Sequence, residues 1–509
     1  MSESFPIQES RARRYGVPAV FAVATLLLHL AFNPYFGYHQ DEFYFIACGQ
    51  HLSFGYVDHA PLVPWIARLS QALFGESIAG LRFFPALAGS AAVFLAGLLA
   101  NRLGGGRFAQ ALTCLMMLIA PVYLRSTNVL CIPAFEPIYW LLASYFVVRI
   151  IQEDNPRLWL AVGAIAGLGL MNKHSMLFFG FGLAVAIIAT PLRKYLKTPW
   201  PYAGGAIAML IFAPNILWQM QNGWPTLEFL RELNKEVMSD ISTPEFLIGQ
   251  ILYEHPFNAP IWIAGLVSLL FGRAKQYRAL GIIYVSVLVV MLITKGKIYY
   301  LAPAYPALFA AGAVAVERFS QRPMGVWFRP AVIALLAVGG ALFMPLSLPM
   351  LDIERTDRYI KAVTMGLIKN AFELTGDLHA QFGWPELVDE TARVYNTLTP
   401  EEKEKCLIVG RGYGIAGAID YYGKNKGLPA AAATHMTYYL WGYPEKEYEV
   451  FLLVGYHEKY LRDAFSDVRL ASTFTHPHVN PWMNGLHITI CRNPKVPLPD
   501  LWKRMKSYG

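Results

Sequence analysis

Asp41 and Glu42 stand side by side in NPYFGYHQDEFYF, directly after the first long apolar run of the chain. Two adjacent carboxylates at a membrane surface repel each other and lose solvation. Both effects favour proton uptake, which is the property of a general base. Taken alone, the pair also reads as an ordinary solvated loop. Further along, GYVDHAPL sets Asp58 beside His59 between the turn residues Gly55 and Pro61. An acid next to an imidazole suits a metal, a hydrogen-bonded phosphate, or simply each other. With the distant His255 of YEHPFN they are the ligands a divalent metal would have to use, Asp58 and His255 first among them. No other cofactor is implied.

A second set of ionisable residues sits at the ends of apolar runs. Arg82 opens LRFFPALAG, Glu136 lies in PAFEPIYW, Lys173 in MNKHSM, and Lys295 and Lys297 precede the aromatic pair Tyr299 and Tyr300 in TKGKIYYLAPAYP. Charge at such depth is costly, so a functional reading is the default there. The alternatives are lysines that snorkel to the interface or hold a lipid headgroup, and tyrosines of an interfacial aromatic belt.

The elements that must position these residues are membrane helices. The chain has 509 residues, of which 55% are hydrophobic and 15% charged, with a mean hydropathy of +0.36. Soluble domains are roughly 25% charged. Apolar windows lie near 16–33, 80–100, 108–125, 133–150, 157–171, 175–191, 201–217, 256–271, 279–294, 300–316 and 330–350, which predicts a membrane all-α bundle of about eleven spans. The runs stop near Met350, so residues 1–350 form the membrane domain, with the first outer loop at 34–80, and 351–509 a water-exposed domain. That loop is aromatic-rich and reads as interfacial helices, with Tyr44, Phe45 and Trp65 at headgroup depth.

The net charge of +8 is spread over loops and forms no basic face, so nucleic acid is not a partner. With the N-terminus inside, the inner loops hold Arg11, Arg13, Arg14, Arg102, Arg107, Arg149, Arg157, Arg193, Lys194, Lys197, Arg273, Lys275, Arg278, Arg318, Arg322 and Arg329, and the outer loops hold about half as many cations. An odd number of spans then puts 351–509 outside. The N-terminal apolar run is too long for a cleavable signal and lacks a small-residue cleavage site.

The outer domain reads as α/β, with strand-like CLIVG, EVFLLVG, VRLASTF and HITIC and the amphipathic ELVDETARVYNTL. Cys48, Cys114, Cys131, Cys406 and Cys491 include no C-x-x-C pair, and a Cys406–Cys491 bridge stays open because each lies in a strand-like run. Gly412, Gly414 and Gly417 match G-x-G-x-x-G after a strand. The acid that dinucleotide binding needs is missing from AAAATHMTYYLWG, and a nucleotide would be scarce outside the cytoplasm.

The motifs DEFYF at 41–45, GYVDHAPL at 55–62, LRFFPALAG at 81–89, AFEPIYW at 134–140 and KGKIYYLAPAYPALFAAG at 295–312 resemble, in order, the polytopic GT-C glycosyltransferases similar to dolichyl-phosphate-mannose protein mannosyltransferases and to the aminoarabinose transferases of lipid A. The resemblance implies a catalytic acid in the first outer loop and a sugar donor on a polyprenyl phosphate in the inner membrane, facing the periplasm or exterior. Asp41 is then the general base, Glu42 its companion, and Glu136 the second acidic position, where relatives often carry aspartate. His59 stands where some relatives have lysine. The outer domain, including AGAIDYYGKNKGLP, positions the acceptor or covers the site.

Such a transfer strips a proton from an acceptor hydroxyl while a phosphate leaves the anomeric carbon, with inversion. Asp41 would take the proton, and Lys173, Lys297 and His59 would offset charge on the phosphate, all in one outer cleft. Asp58, Arg82, His255, Lys295, Tyr299 and Tyr300 are the further substrate contacts. The acceptor is a lipid, a glycan or a protein, with membrane lipids around it. The rival is a multi-span transporter or flippase of a lipid-linked or small anionic substrate, but the paired repeats with broken helices that a transporter shows are not seen.

Overall fold

In the computed structural model, residues 11–236, 241–321, 325, 327–363, 365 and 372–508 are described. Every apolar window of the sequence holds a helix. Seven helices are long and apolar enough to cross a membrane: Arg14–Tyr35, Ile78–Arg102, Ile132–Glu153, Trp200–Gln221, Lys275–Thr294, Ile298–Ser320 and Phe328–Leu346. The pair Met176–Ala189 and Pro191–Lys197, bent by 98°, makes an eighth if counted as one span. The remaining apolar helices, Arg107–Ile119, Leu158–Asn172 and Pro256–Leu270, are shorter. At 1.5 Å per residue such helices cover about 20 Å, less than the ~30 Å hydrocarbon core. Among the described residues the expected eleven full spans thus number seven or eight, because an apolar window measures composition and not the length over which the backbone stays helical.

The chain divides into two compact units. The first comprises Met1–Asn33, Arg82–Leu217 and Met238–Met350; the second comprises Pro34–Leu81, Trp218–Val237 and Leu351–Gly509. Residues 34–81, read from the sequence as part of the membrane domain, thus cluster with 351–509.

In the first unit, glycines let helix backbones touch. A Cβ on Gly163 would lie 2.0 Å from the Gly204 carbonyl oxygen, and one on Gly265 would lie 2.2 Å from that of Leu308. Lipid supplies no hydrophobic drive between helices, so close van der Waals contact across small residues holds them.

The second unit is built on a five-stranded sheet of order β2-β1-β3-β5-β4, with β1 at Cys406–Gly410, β2 at Ala431–Ala433, β3 at Val450–Val454, β4 at Phe465–Phe474 and β5 at Leu486–Pro494. Strands β2, β1 and β3 run parallel, while β5 is antiparallel to β3 and β4. Every residue of β1 and β3 is buried, which explains their continuous apolar runs. Leu407, Val409, Phe451, Leu453, Phe465 and Trp502 form the core of one face. Tyr44, Tyr56, Val57, Ala416, Ala433 and Tyr438 form another cluster. Tyr44 and Phe45 are therefore core residues of this unit and not headgroup anchors, with exposures of 1% and 4%. Cys406 and Cys491 are free thiols on β1 and β5. With β3 between them they lie about two strand spacings apart, roughly 9–10 Å, too far for a disulfide. Burial pushes both thiols up to about 12.

The glycine series after β1 has a packing role. The helix Tyr413–Tyr422 lies against the helix Gln40–Gln50, and a Cβ on Gly417 would stand 2.8 Å from Phe43 Cβ and 3.2 Å from its backbone oxygen. A Cβ on Gly414 would approach Gln40 Cβ to 3.1 Å. Gly417→Val should cost about 1–3 kcal/mol through overpacking. The readout is a lower unfolding temperature in detergent. Gly205→Ala, which enters open space, should leave that temperature unchanged.

Candidate active site

In the second unit, the helix Gln40–Gln50 begins with a capping box. His39 Nδ1 accepts from the Asp41 backbone N–H at 3.2 Å, and Glu42 Oε2 accepts from the His39 N–H at 2.8 Å. Glu42 is completely buried by this duty. The two adjacent acids therefore divide their work, since consecutive helical residues point about 100° apart: Glu42 turns inward to the cap, and Asp41 keeps a side chain 35% exposed.

Asp41 Oδ1 accepts the Tyr413 hydroxyl at 2.8 Å, and its Oδ2 lies 3.8 Å from His39 Nδ1. Burial, with the Asp41 carboxylate beside it, pushes the Tyr413 phenol well above its ordinary range, so it remains a proton donor to Asp41 at every physiological pH. The Tyr413 ring stacks on Tyr44 at 4.5 Å. Tyr44 in turn donates to Asp58 Oδ1 at 2.7 Å and meets Thr437 Oγ1 at 2.6 Å. Asp41 and Asp58 are thus each gripped by one phenol of a stacked pair. His59 lies beside Asp58 at 4.0 Å, but it is 2% exposed and enclosed by Tyr44, Phe45 and Tyr56, with its Nδ1 against the Ala60 carbonyl at 3.0 Å. It packs the turn of GYVDHAPL.

In the first unit, Glu136 opens the helix Glu136–Glu153, where the N-terminal end of the helix dipole favours an anion. Lys173, at the end of the helix Leu158–Asn172, donates to Glu136 Oε2 at 2.7 Å, and Ser175 donates to Glu136 Oε1. The Lys173 ammonium also lies 4.7 Å from the Tyr300 ring centre and 5.3 Å from that of Tyr299. The chain's turn at MNKHSM and the KIYY segment therefore bring one carboxylate, one ammonium and two phenol faces together. Lys297 caps the 3₁₀ turn Ile298–Ala304 that carries both tyrosines. Lys295 closes the helix Arg278–Thr294 in a left-handed conformation, φ 51°, and lines a cavity of about 230 Å³ with Ser242, Thr243 and Phe246.

Two expected substrate contacts are enclosed. Arg82 is 1% exposed and donates to the Asn33 carbonyl, whose side chain reaches the Thr127 carbonyl at 2.9 Å and His29 at 3.0 Å. His255 is fully buried; its Nδ1 accepts from the Phe257 N–H at 3.2 Å, and its ring lies against Phe257 and Phe343. Both lie in the interior of their unit. Among the described residues no group of three or more His, Cys, Asp and Glu side chains gathers as a metal would require. Asp58 belongs to the second unit and His255 to the first.

Residues 58–218 match the family model of dolichyl-phosphate-mannose-protein mannosyltransferases. The structure matches that of ArnT from Cupriavidus metallidurans bound to undecaprenyl phosphate with a TM-score of 0.62, over 94% of this chain and 98% of that one, at 16% identity. The apo state of the same protein gives 0.61, over 93% and 98%, also at 16% identity. The fold is GT-C. No curated protein sequence matches the chain. The GT-C resemblance carried by the motifs of the sequence is thus shown in both family model and fold, and the chain is a multi-pass membrane protein.

Within the GT-C fold, the sequence reading missed Tyr413, Thr437 and Ser175. Tyr413 is 372 residues from Asp41, and a phenol in a glycine loop carries no signal of a distant carboxylate. Ser175, two residues after Lys173 in MNKHSM, was within reach of the same motif. Lys173→Met should leave Glu136 buried without its cation, at a cost of about 3–5 kcal/mol. The double variant Lys173→Met, Glu136→Gln should recover most of that stability, measured as unfolding temperature in detergent.

Proposed function

We propose that this chain is an integral-membrane glycosyltransferase. It moves a sugar from a polyprenyl-phosphate donor to a hydroxyl of a lipid, glycan or protein on the outer face of the membrane, with inversion at the anomeric carbon. The observation that carries this reading is Asp41: a carboxylate at the start of a helix, held by Tyr413 through one oxygen and a third exposed, in a chain of GT-C fold. The donor class is supported by ArnT, whose crystal structure holds undecaprenyl phosphate. The outward face is supported by the cation bias of the loops.

In this mechanism the acceptor oxygen attacks the anomeric carbon from the side opposite the phosphate. Its proton passes to Asp41, the bond from the anomeric carbon to the phosphate oxygen breaks, and the electron pair stays on the leaving lipid phosphate. Lys173 and Lys297 offset that charge, and an ammonium in apolar surroundings is worth more there than in water. Tyr299 and Tyr300 orient the ammonium and offer their faces to the sugar or the lipid. Glu42 is a positioning residue that holds the first turn on which Asp41 stands. Glu136 fixes Lys173. The alternative of a transporter or flippase of a lipid-linked substrate differs in its product, because only a transferase releases lipid phosphate in an acceptor-dependent way.

Asp41→Asn keeps shape and hydrogen-bond reach but cannot take the proton. Acceptor-dependent release of lipid phosphate from radiolabelled donor by purified protein should fall a hundredfold or more, as removal of a general base does. Wild-type rates in the variant would remove Asp41 from the mechanism. Lys173→Met should lower the same release about 10²–10³-fold, the effect of losing one charge-stabilising donor.

A further inference from the structure

The second unit contains a cavity of about 600 Å³ that the donor chemistry leaves unused. It is walled by Gln40, Arg411, Tyr413, His435, Tyr456 and Trp482, with the first turn of the helix Tyr413–Tyr422 opening onto it. Two of these residues tie it to Asp41: Gln40 precedes it in the chain, and Tyr413 donates its hydroxyl to Asp41 Oδ1. The remaining walls have a definite chemistry. Arg411 is exposed and has no carboxylate partner among the described residues, although its guanidinium is near enough to bias both His435 and Tyr456. His435 accepts the Tyr413 backbone N–H on Nδ1 at 3.4 Å, so in the neutral ring Nε2 carries the proton and is a donor. Burial and the neighbouring Arg411 both hold this imidazole below its usual range, although Asp58 opposes them. The rings of Tyr413 and His435 stack at 5.0 Å with an interplanar angle of 11°.

We infer that this cavity is the acceptor subsite, and that the acceptor is a saccharide bearing an acidic group, phosphate or carboxylate. The assignment rests on the transferase reading above and specifies its acceptor. Flat amphipathic faces with polar edges, here His435, Tyr456 and Trp482, suit the C–H faces and hydroxyls of a sugar ring. An unpaired guanidinium with its planar fork suits an oxyanion. The volume falls in the range of small-molecule sites, roughly 300–1,000 Å³, and accommodates one or two sugar rings. A peptide acceptor would instead call for an open sheet edge or an extended groove. The polar wall nearest Asp41, Gln40 with the Tyr413 ring, would direct one acceptor hydroxyl towards the base.

The test is a ligand titration on the full-length protein in nanodiscs, without donor, followed by saturation-transfer NMR. The probes are glucose 6-phosphate, glucuronate, methyl glucoside and inorganic phosphate. At least one acidic sugar should bind more tightly than methyl glucoside and than inorganic phosphate. Arg411→Ala should weaken that acidic sugar tenfold or more while leaving methyl glucoside unchanged, and Arg411→Lys should restore part of the loss. A preference for glucose 6-phosphate assigns the oxyanion as phosphate, and a preference for glucuronate assigns it as carboxylate. Three results overturn the inference: no sugar binds, acidic sugars bind wild type and Arg411→Ala alike, or inorganic phosphate competes as well as the sugar phosphate. Because no donor is present, these outcomes are separate from the lipid-phosphate release that tests the transferase reading.

Discussion

A charge withdrawn from water has to find a partner, and this constraint arranges the ionisable residues of both units. An isolated ion in an apolar interior costs several kcal/mol, and only good geometry with further hydrogen bonds repays it. Glu136 meets that demand twice, from Lys173 and from Ser175, and it also sits at a helix N-terminus. Arg82 meets it on a backbone carbonyl, within a set of polar side chains from His29, Asn33 and Thr127. Glu42 meets it as a helix cap. Among the described residues, Asp41 of the second unit keeps an exposed side, and Lys173 of the first keeps an ammonium bordered by tyrosine rings.

Packing decides where Asp41 stands. The contact of the helices Gln40–Gln50 and Tyr413–Tyr422 is close because Gly414 and Gly417 remove the Cβ atoms that would meet Gln40 and Phe43. That closeness puts the Tyr413 phenol in reach of Asp41 and its ring on Tyr44. The first-loop acid and the distant glycine series are thus one construction. The glycines that resembled a phosphate-binding fingerprint are read better as the bed of the helix that carries Asp41.

Much of this was legible in the chain, and for definable reasons. The apolar windows all became helices because continuous hydrophobicity is a local signal, whereas their number as full spans depends on helix ends, which it does not specify. CLIVG, EVFLLVG and HITIC were recognisable strands because both faces are buried, whereas β2 is three alanines with neither β-branching nor alternation and was invisible. Among the site residues, Lys173 and Glu136 were marked by the cost of charge at the end of an apolar run, and they prove to be partners. Arg82 raised the same signal, and His59 and His255 were marked as contacts for a phosphate or a metal, for another reason. Charge or a ring nitrogen inside a unit can be satisfied by a backbone carbonyl or N–H, and composition does not tell that from a ligand contact.

The proposed chemistry asks opposite things of its two principal groups, and their surroundings differ accordingly. A general base must return its proton to water in every cycle, so it gains from partial exposure, and Asp41 has 35%. A cation that stabilises departing phosphate gains from dryness, because its Coulomb energy rises as the local dielectric falls, and Lys173 has 18%. Dryness in turn makes the lysine costly without an anion, which is the work of Glu136. Ser175 engages the second oxygen of Glu136, so that one carboxylate oxygen meets the ammonium, which also lies over the faces of Tyr299 and Tyr300.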